Sequence, residues 1–255
     1  MQQVYRWLNI VVFLAVIGVN WAANALPLFG RSTGEISAMY PVAVTPASYA
    51  FGIWGLIYAL LAGYMIVQAM PRGQQRPEVK RIGPWFIISS LLNIAWLLLW
   101  HSLHITSTAF IMLAMLLSLI VAYRRSRPAT PHPVIWTRLF VALPFSIYLG
   151  WISVATIVNI SVALKASGWD GWGVSPEAWG TALLVVAGFL ALLIARQYSD
   201  PFYGLVIIWA CIAIAIEQQP AYPTLSYAAW GVAVIVFVVS ALTFYKPRKV
   251  QSSVR

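Results

Sequence analysis

The sequence predicts an all-α polytopic membrane protein with eight spans and both termini cytoplasmic. Three observations carry that reading. The 255-residue chain is 61% hydrophobic and only 9% charged, with mean hydropathy +0.81; a soluble domain is about 25% charged. Its apolar runs are continuous and about 20 residues long, the length that crosses a bilayer as a helix; barrel strands would alternate instead. Its basic residues gather in alternate loops, the signature of membrane topology.

The spans are expected near 7–29, 48–70, 84–103, 106–123, 138–163, 178–197, 202–218 and 225–245. The breaker-rich stretches from Pro71 to Pro77, Pro128 to Pro133, Gly168 to Pro176 and Pro220 to Pro223 separate them. The first span follows Arg6 and carries Asn20, Trp21 and Asn24. Ala23-Asn24-Ala25 fits a small-x-small cleavage pattern, so a signal peptide is weighed against a retained helix; length and polar content favour the helix. The second span has small residues at Gly55, Ala59 and Gly63, which permit close helix approach, either within the subunit or at a homodimer seam. Spans three and five carry Asn and Trp at depth. Past residue 165 the composition becomes aliphatic, and spans six to eight hold few polar groups. Those three are expected to cover a lateral face of the first five. The organisation read from the chain is therefore 1–165 and 166–255, the second ending in a basic cytoplasmic tail.

Fourteen Lys and Arg residues fall on one side. They are Arg6; Arg72, Arg76, Lys80 and Arg81; Arg124, Arg125, Arg127 and Arg138; Arg196; and Lys246, Arg248, Lys249 and Arg255. The other side holds two, Arg31 and Lys165. That asymmetry places both termini in the cytoplasm. It also accounts for the net charge of +10 through topology and anionic lipid, so no nucleic-acid partner is expected.

Several chemistries are missing. No HExxH, CxxC, GxSxG or phosphate-binding glycine loop occurs. A lone cysteine, Cys211, forbids an intrachain disulfide. No pair of carboxylates lies inside a span, although ion-coupled transport usually needs ionisable groups there. Glu217 comes nearest and reads as a solvated helix end. His101 and His104, three residues apart at the outer end of span three, read as an interfacial pair rather than as metal ligands. No catalytic residue and no metal ligand is assigned.

Aromatic residues are plentiful: 13 of the residues are Trp. An interfacial belt explains Trp7, Trp85 and Trp136 on the cytoplasmic side and Trp169, Trp172 and Trp179 on the outer side. It does not explain Trp54, Trp96 and Trp151, which lie deeper. Buried Trp normally finds a partner for its indole N–H, and Asn93 and Asn159 are candidates at similar depth. Trp54 and Tyr58 are i, i+4 on one helix face; Asn93, Trp96 and Trp100 share a stripe; Trp151 and Ala155 are neighbours, with Asn159 on the same half of the helix. An aromatic-lined cavity with a few amides is the usual form of a small-molecule site. Helix packing is the competing explanation. The candidate ligand-binding set is Trp54, Tyr58, Asn93, Trp96, Trp151, Ala155 and Asn159.

These residues sit in motifs. Thr45-Pro46-Ala47-Ser48-Tyr49-Ala50-Phe51-Gly52-Ile53-Trp54-Gly55-Leu56-Ile57-Tyr58 resembles the second-helix stretch of the tryptophan-rich sensory protein (TspO/MBR, translocator protein) family. Leu92-Asn93-Ile94-Ala95-Trp96 is similar to that family's Leu-Asn-x-x-Trp motif. The run from Tyr148 to Asn159 resembles its fifth-helix motif. Departures occur at Ile53, Leu97 and Pro144. The resemblance covers residues 1–165 and implies a five-helix TspO-like bundle with three added helices. It implies Trp54 and Trp151 as pocket walls, Asn93 as a polar contact, Ala155 on the pocket face and the outer loop 30–47 as the cover. It also implies a tetrapyrrole such as porphyrin or haem, or a sterol-like molecule, as ligand, with no required cofactor. A receptor or sensor in the inner or plasma membrane is the leading expectation. A transporter of such ligands, a porphyrin-degrading enzyme and a packing scaffold are the alternatives.

Overall fold

Prolines and caps set where the helices begin. The computed structural model describes residues 2–26, 28–128 and 134–245; the tail cations Lys246, Arg248, Lys249 and Arg255 lie outside them. Eight long helices run through the described chain: α1 (Gln2–Ala25), α2 (Ile53–Ala69), α3 (Trp85–His101), α4 (Ile105–Ser126), α5 (Leu143–Ala166), α6 (Pro176–Tyr198), α7 (Pro201–Gln218) and α8 (Pro223–Tyr245). The last three each open on proline, whose missing N–H costs nothing in the first turn. Ser175 caps α6 by accepting from the Ala178 N–H, and Asp200 caps α7 by accepting from the Phe202 N–H. Ser199, at φ 49, turns the chain sharply between α6 and α7. Short helices at Pro71–Gln74 and Pro77–Ile82 join α2 to α3.

Seven helices are long and apolar enough to cross a membrane. In that set α2 counts from the 3-10 turn at Ser48, and α5 counts from Ile135 through a π-helical stretch, Arg138–Ala142. The eighth, α3, is apolar but has only 17 residues, a rise of about 26 Å. The expected spans thus match helices within a few residues. The α1 helix stops at Ala25, short of the expected 29.

The first five helices close on themselves: α1 packs on α2 and α3, α3 on α4, α4 on α5, and α5 on α2. The other three form a layer against this bundle. α7 packs along α5, and α6 and α8 pack on α7 and on each other. As a result α5 is surrounded, and nearly every residue from Val141 to Val154 is buried. The contact with α7 is close because Gly150 lacks a side chain; a Cβ there would lie 2.9 Å from the Val206 Cβ. Gly204 faces Ser240 of α8, and Gly188 of α6 faces Val232 of α8, in the same way. Small residues let apolar helices approach and gain dispersion contacts where lipid gives no hydrophobic drive.

The stripe on α2 is split. Gly63 meets the Phe140 ring, whereas Gly55 and Ala59 are exposed and nothing within 4 Å faces Gly55.

Candidate functional site

All five bundle helices meet around Tyr148 of α5. Its hydroxyl accepts from the Asn93 Nδ2 of α3 at 3.3 Å and faces the Met115 sulfur of α4 at 3.7 Å. Asn93 Oδ1 accepts in turn from Asn20 Nδ2 of α1 at 3.0 Å. Trp54 of α2 sets its ring edge-on to Tyr148 at 5.8 Å. This polar chain is possible because Asn93 is 1% exposed and each amide can donate and accept at once.

An aromatic cluster grows from the same point. Trp54 stacks on Tyr58 with ring centroids 5.5 Å apart, as their i, i+4 spacing dictates. Trp54 also meets Trp151 edge-to-face at 6.4 Å, and Phe51 meets Trp151 at 6.0 Å. Such geometries suit the ring quadrupoles. Trp54 is half-buried, whereas Trp151 is 2% exposed.

The candidate residues therefore separate into groups. Trp54, Tyr58 and Trp151 come together, and Asn93 joins them through Tyr148. Trp96 is buried and stacks on Trp100 at 5.5 Å, a turn along α3 from Asn93. Ala155 is half-buried one turn beyond Trp151. Asn159 does not reach the cluster with its amide; its Oδ1 accepts from Thr108 of α4 at 3.2 Å and ties α4 to α5.

The indole partners differ from expectation. Neither Asn93 nor Asn159 accepts from a Trp. The Nε1 atoms of Trp96 and Trp151 are buried and have no hydrogen-bond partner. The amides are engaged elsewhere, Asn93 with Asn20 and Tyr148 and Asn159 with Thr108. Tyr148 and Asn20 were not singled out from the sequence as site residues. Spacing offered a signal for the first, because Tyr148, Trp151 and Ala155 follow i, i+3, i+7.

A cover lies over the non-basic end. Ser32 caps a short helix, Thr33–Met39, in a reciprocal box with Glu35. The two hydrogen bonds from Ser32, its backbone N–H first, hold the Glu35 carboxyl below its ordinary value. The cover packs on α3, where the Trp100 indole donates to the Thr33 carbonyl at 3.2 Å. Its second half is fastened by α7: Gln218 donates to the Thr45 carbonyl, the Ala47 N–H donates to Ala213 O, and Trp209 donates to Ala50 O. The two histidines sit in different environments. His101 is buried with Nδ1 against Leu97 O, while His104 is exposed at the start of α4. Among the described residues no cluster of three metal-ligating side chains occurs.

The opposite end holds an ionic lock that sequence reasoning passed over. Asp200 is 3% exposed. It accepts from Tyr123 at 2.9 Å, Arg127 at 2.8 Å and Ser146 at 2.6 Å. Arg127 also donates to the Ala142 carbonyl, in the π-helical stretch. One carboxylate thus joins α4, α5 and α7. Arg81 donates to Arg127 O and Arg125 to Arg81 O, so the basic loops meet at this one end. A wide apolar groove of about 640 Å³ runs between α2, α5 and α7, walled by Ile53, Leu56, Ile147, Phe202 and Trp209.

The helices and their arrangement define a multi-pass helical membrane protein. Its relatives are indicated by sequence: the profile of the TSPO-like protein family matches residues 6–242, and the chain belongs to that family. The match takes in α6 to α8 as well as the five-helix bundle. No curated protein and no solved structure gives a significant match.

Proposed function

We propose that this protein is a membrane receptor or sensor that binds a planar hydrophobic molecule, a tetrapyrrole such as porphyrin or haem or a sterol-like ligand, in the five-helix bundle. One observation carries the reading. Two buried indole N–H groups, on Trp96 and Trp151, have no acceptor beside a cluster of stacked rings. An unmet buried donor costs about 1–3 kcal/mol, so a ligand that satisfies either indole gains that much. A ligand that carries both an aromatic or fused-ring face and peripheral acceptors meets both needs. Trp54 supplies the accessible wall, Tyr58 its stacked support and Trp151 the buried wall; Asn93 with Tyr148 forms the polar floor. The site offers no paired acid, base or nucleophile, which favours binding over catalysis.

All eight helices span the inner or plasma membrane with both termini cytoplasmic in this reading. The fourteen-to-two distribution of basic residues supports it, and so does the meeting of Arg81, Arg125 and Arg127 at one end.

Titration of the purified protein with protoporphyrin IX, followed by tryptophan quenching, tests the reading. Saturable binding should weaken about thirtyfold in Trp151→Ala, the loss expected of an aromatic anchor. Trp151→Phe keeps a ring and deletes the N–H, and should weaken it about fivefold, the size of one hydrogen bond. Thermal melting controls for folding. Affinity unchanged in both folded variants would remove the site.

A further inference from the structure

A second, polar cavity lies at the basic end, on the far side of the bundle from the cover. It occupies about 220 Å³, the bulk volume of about seven waters, which is too small for a tetrapyrrole. Tyr5, Arg6 and Asn9 of α1, Gln68 of α2, and Gln74 and Lys80 of the two short helices line it. Two features stand out. Arg6 and Lys80 have no carboxylate partner among the described residues, and no carboxylate lines the cavity. Asn9 is 4% exposed, and although its Nδ2 donates to Gln68 Oε1 at 2.9 Å, its Oδ1 has no partner. Gln68 uses its own N–H on the Met65 sulfur. The site therefore presents two cations at its mouth and one unmet acceptor at its buried wall.

We infer that this cavity binds the headgroup of an anionic glycerophospholipid, with the phosphate against Arg6 and Lys80 and a headgroup hydroxyl donated to Asn9 Oδ1. The placement matches that chemistry. Asn9 sits two turns into α1, and Arg6, whose guanidinium covers the Trp7 ring at 4.7 Å, sits at its start. A phosphate at that level is where the headgroups of the leaflet lie. Choline-type headgroups lack a hydroxyl and add a cation, so phosphatidylglycerol is favoured over phosphatidylcholine. The inference is independent of the aromatic site.

The test uses the full-length protein, delipidated in uncharged detergent, with lipid retention read by native mass spectrometry and melting temperature. The probes are dioleoyl phosphatidylglycerol, dioleoyl phosphatidic acid, dioleoyl phosphatidylcholine and sn-glycerol 3-phosphate. Phosphatidylglycerol should be retained over phosphatidylcholine and should raise the melting temperature. Arg6→Gln and Lys80→Gln should each reduce retention about fivefold, the effect of one cation near a charged surface. Asn9→Leu, which removes the unmet acceptor, should erase the preference for phosphatidylglycerol over phosphatidic acid. A melting shift from sn-glycerol 3-phosphate as large as that from the lipid would overturn the lipid assignment in favour of a soluble phosphate ester. Equal retention of phosphatidylglycerol and phosphatidylcholine, or retention untouched by Arg6→Gln with Lys80→Gln, would overturn the site. Protein whose melting is unchanged without lipid makes each of these readings a binding result.

Discussion

The five-helix bundle and the three-helix layer are both built of apolar helices, yet they are packed by different means. Inside the bundle, polar and aromatic side chains meet: Asn20, Asn93 and Tyr148 hydrogen-bond across three helices, and Trp54, Tyr58 and Trp151 stack beside them. Within the layer, and where it meets α5, glycines let backbones approach, at Gly150, Gly188 and Gly204. The bundle leaves two indole donors unmet; in the layer the buried Ser226 hydroxyl finds the Ala215 carbonyl at 2.8 Å, while the Ser240 hydroxyl, which faces Gly204, has no hydrogen-bond partner. Under the proposed function, the rings and amides of the bundle receive the ligand, and the glycine-packed layer holds them in place. The layer steadies α5, fastens the cover through Gln218 and Trp209, and locks the basic end through Asp200.

The largest expected effect follows from removing the layer. A chain ending at Ala166 loses Asp200 and the cover's anchors and exposes the Gly150 face of α5. It should fail to give a cooperative melting transition, or should melt far below the full protein, in the same detergent. A truncated chain that melts and binds as the full one does would show the layer to be ornamental.

Next is the lock. Asp200→Ala leaves Arg127 buried without its carboxylate, and breaking a buried pair costs about 3–5 kcal/mol. A lowered melting temperature should appear, with porphyrin affinity per folded molecule retained.

The two glycine environments give a sharper contrast. Gly150→Ala pushes a methyl onto Val206 and should cost about 1–3 kcal/mol through overpacking. Gly55→Ala, which meets nothing, should be neutral or stabilise by up to about 1 kcal/mol through helix propensity. Melting of the two single variants side by side checks the sign of each.

The smallest effect is at the cover. The Glu35 carboxyl is held below its ordinary value in the folded state. Its contribution is therefore complete above the ordinary carboxylate value, about pH 4, and is lost as pH falls through the lowered value. The protection factors of amides across Thr33–Met39 should fall below that point, and Glu35→Gln should remove the step.

Much of this architecture was legible because hydropathy and proline act locally. Eight helices lie where eight apolar runs were read, and Pro176, Pro201 and Pro223 begin theirs. Helical spacing likewise foretold the Trp54–Tyr58 stack. What stayed hidden depends on which helices become neighbours. Asp200 was not singled out, because nothing near it in sequence shows that Tyr123, Arg127 and Ser146 surround it. Asn159 lay on the same half of the helix as Trp151 but partly turned away, and in the enclosed α5 its amide goes to Thr108 of α4. His101 and His104 are three residues apart, yet one is buried against Leu97 O and the other is exposed beyond the turn at Leu103, φ 60.

The central claim is that the bundle binds and the layer supports. The most direct measurement compares protoporphyrin IX affinity in Trp54→Ala, from the bundle wall, with that in Trp230→Ala, from the outward face of α8. Both variants should fold. The account predicts about thirtyfold weaker binding in the first and wild-type affinity in the second. Equal affinities in the two variants, or a greater loss in Trp230→Ala, would contradict it.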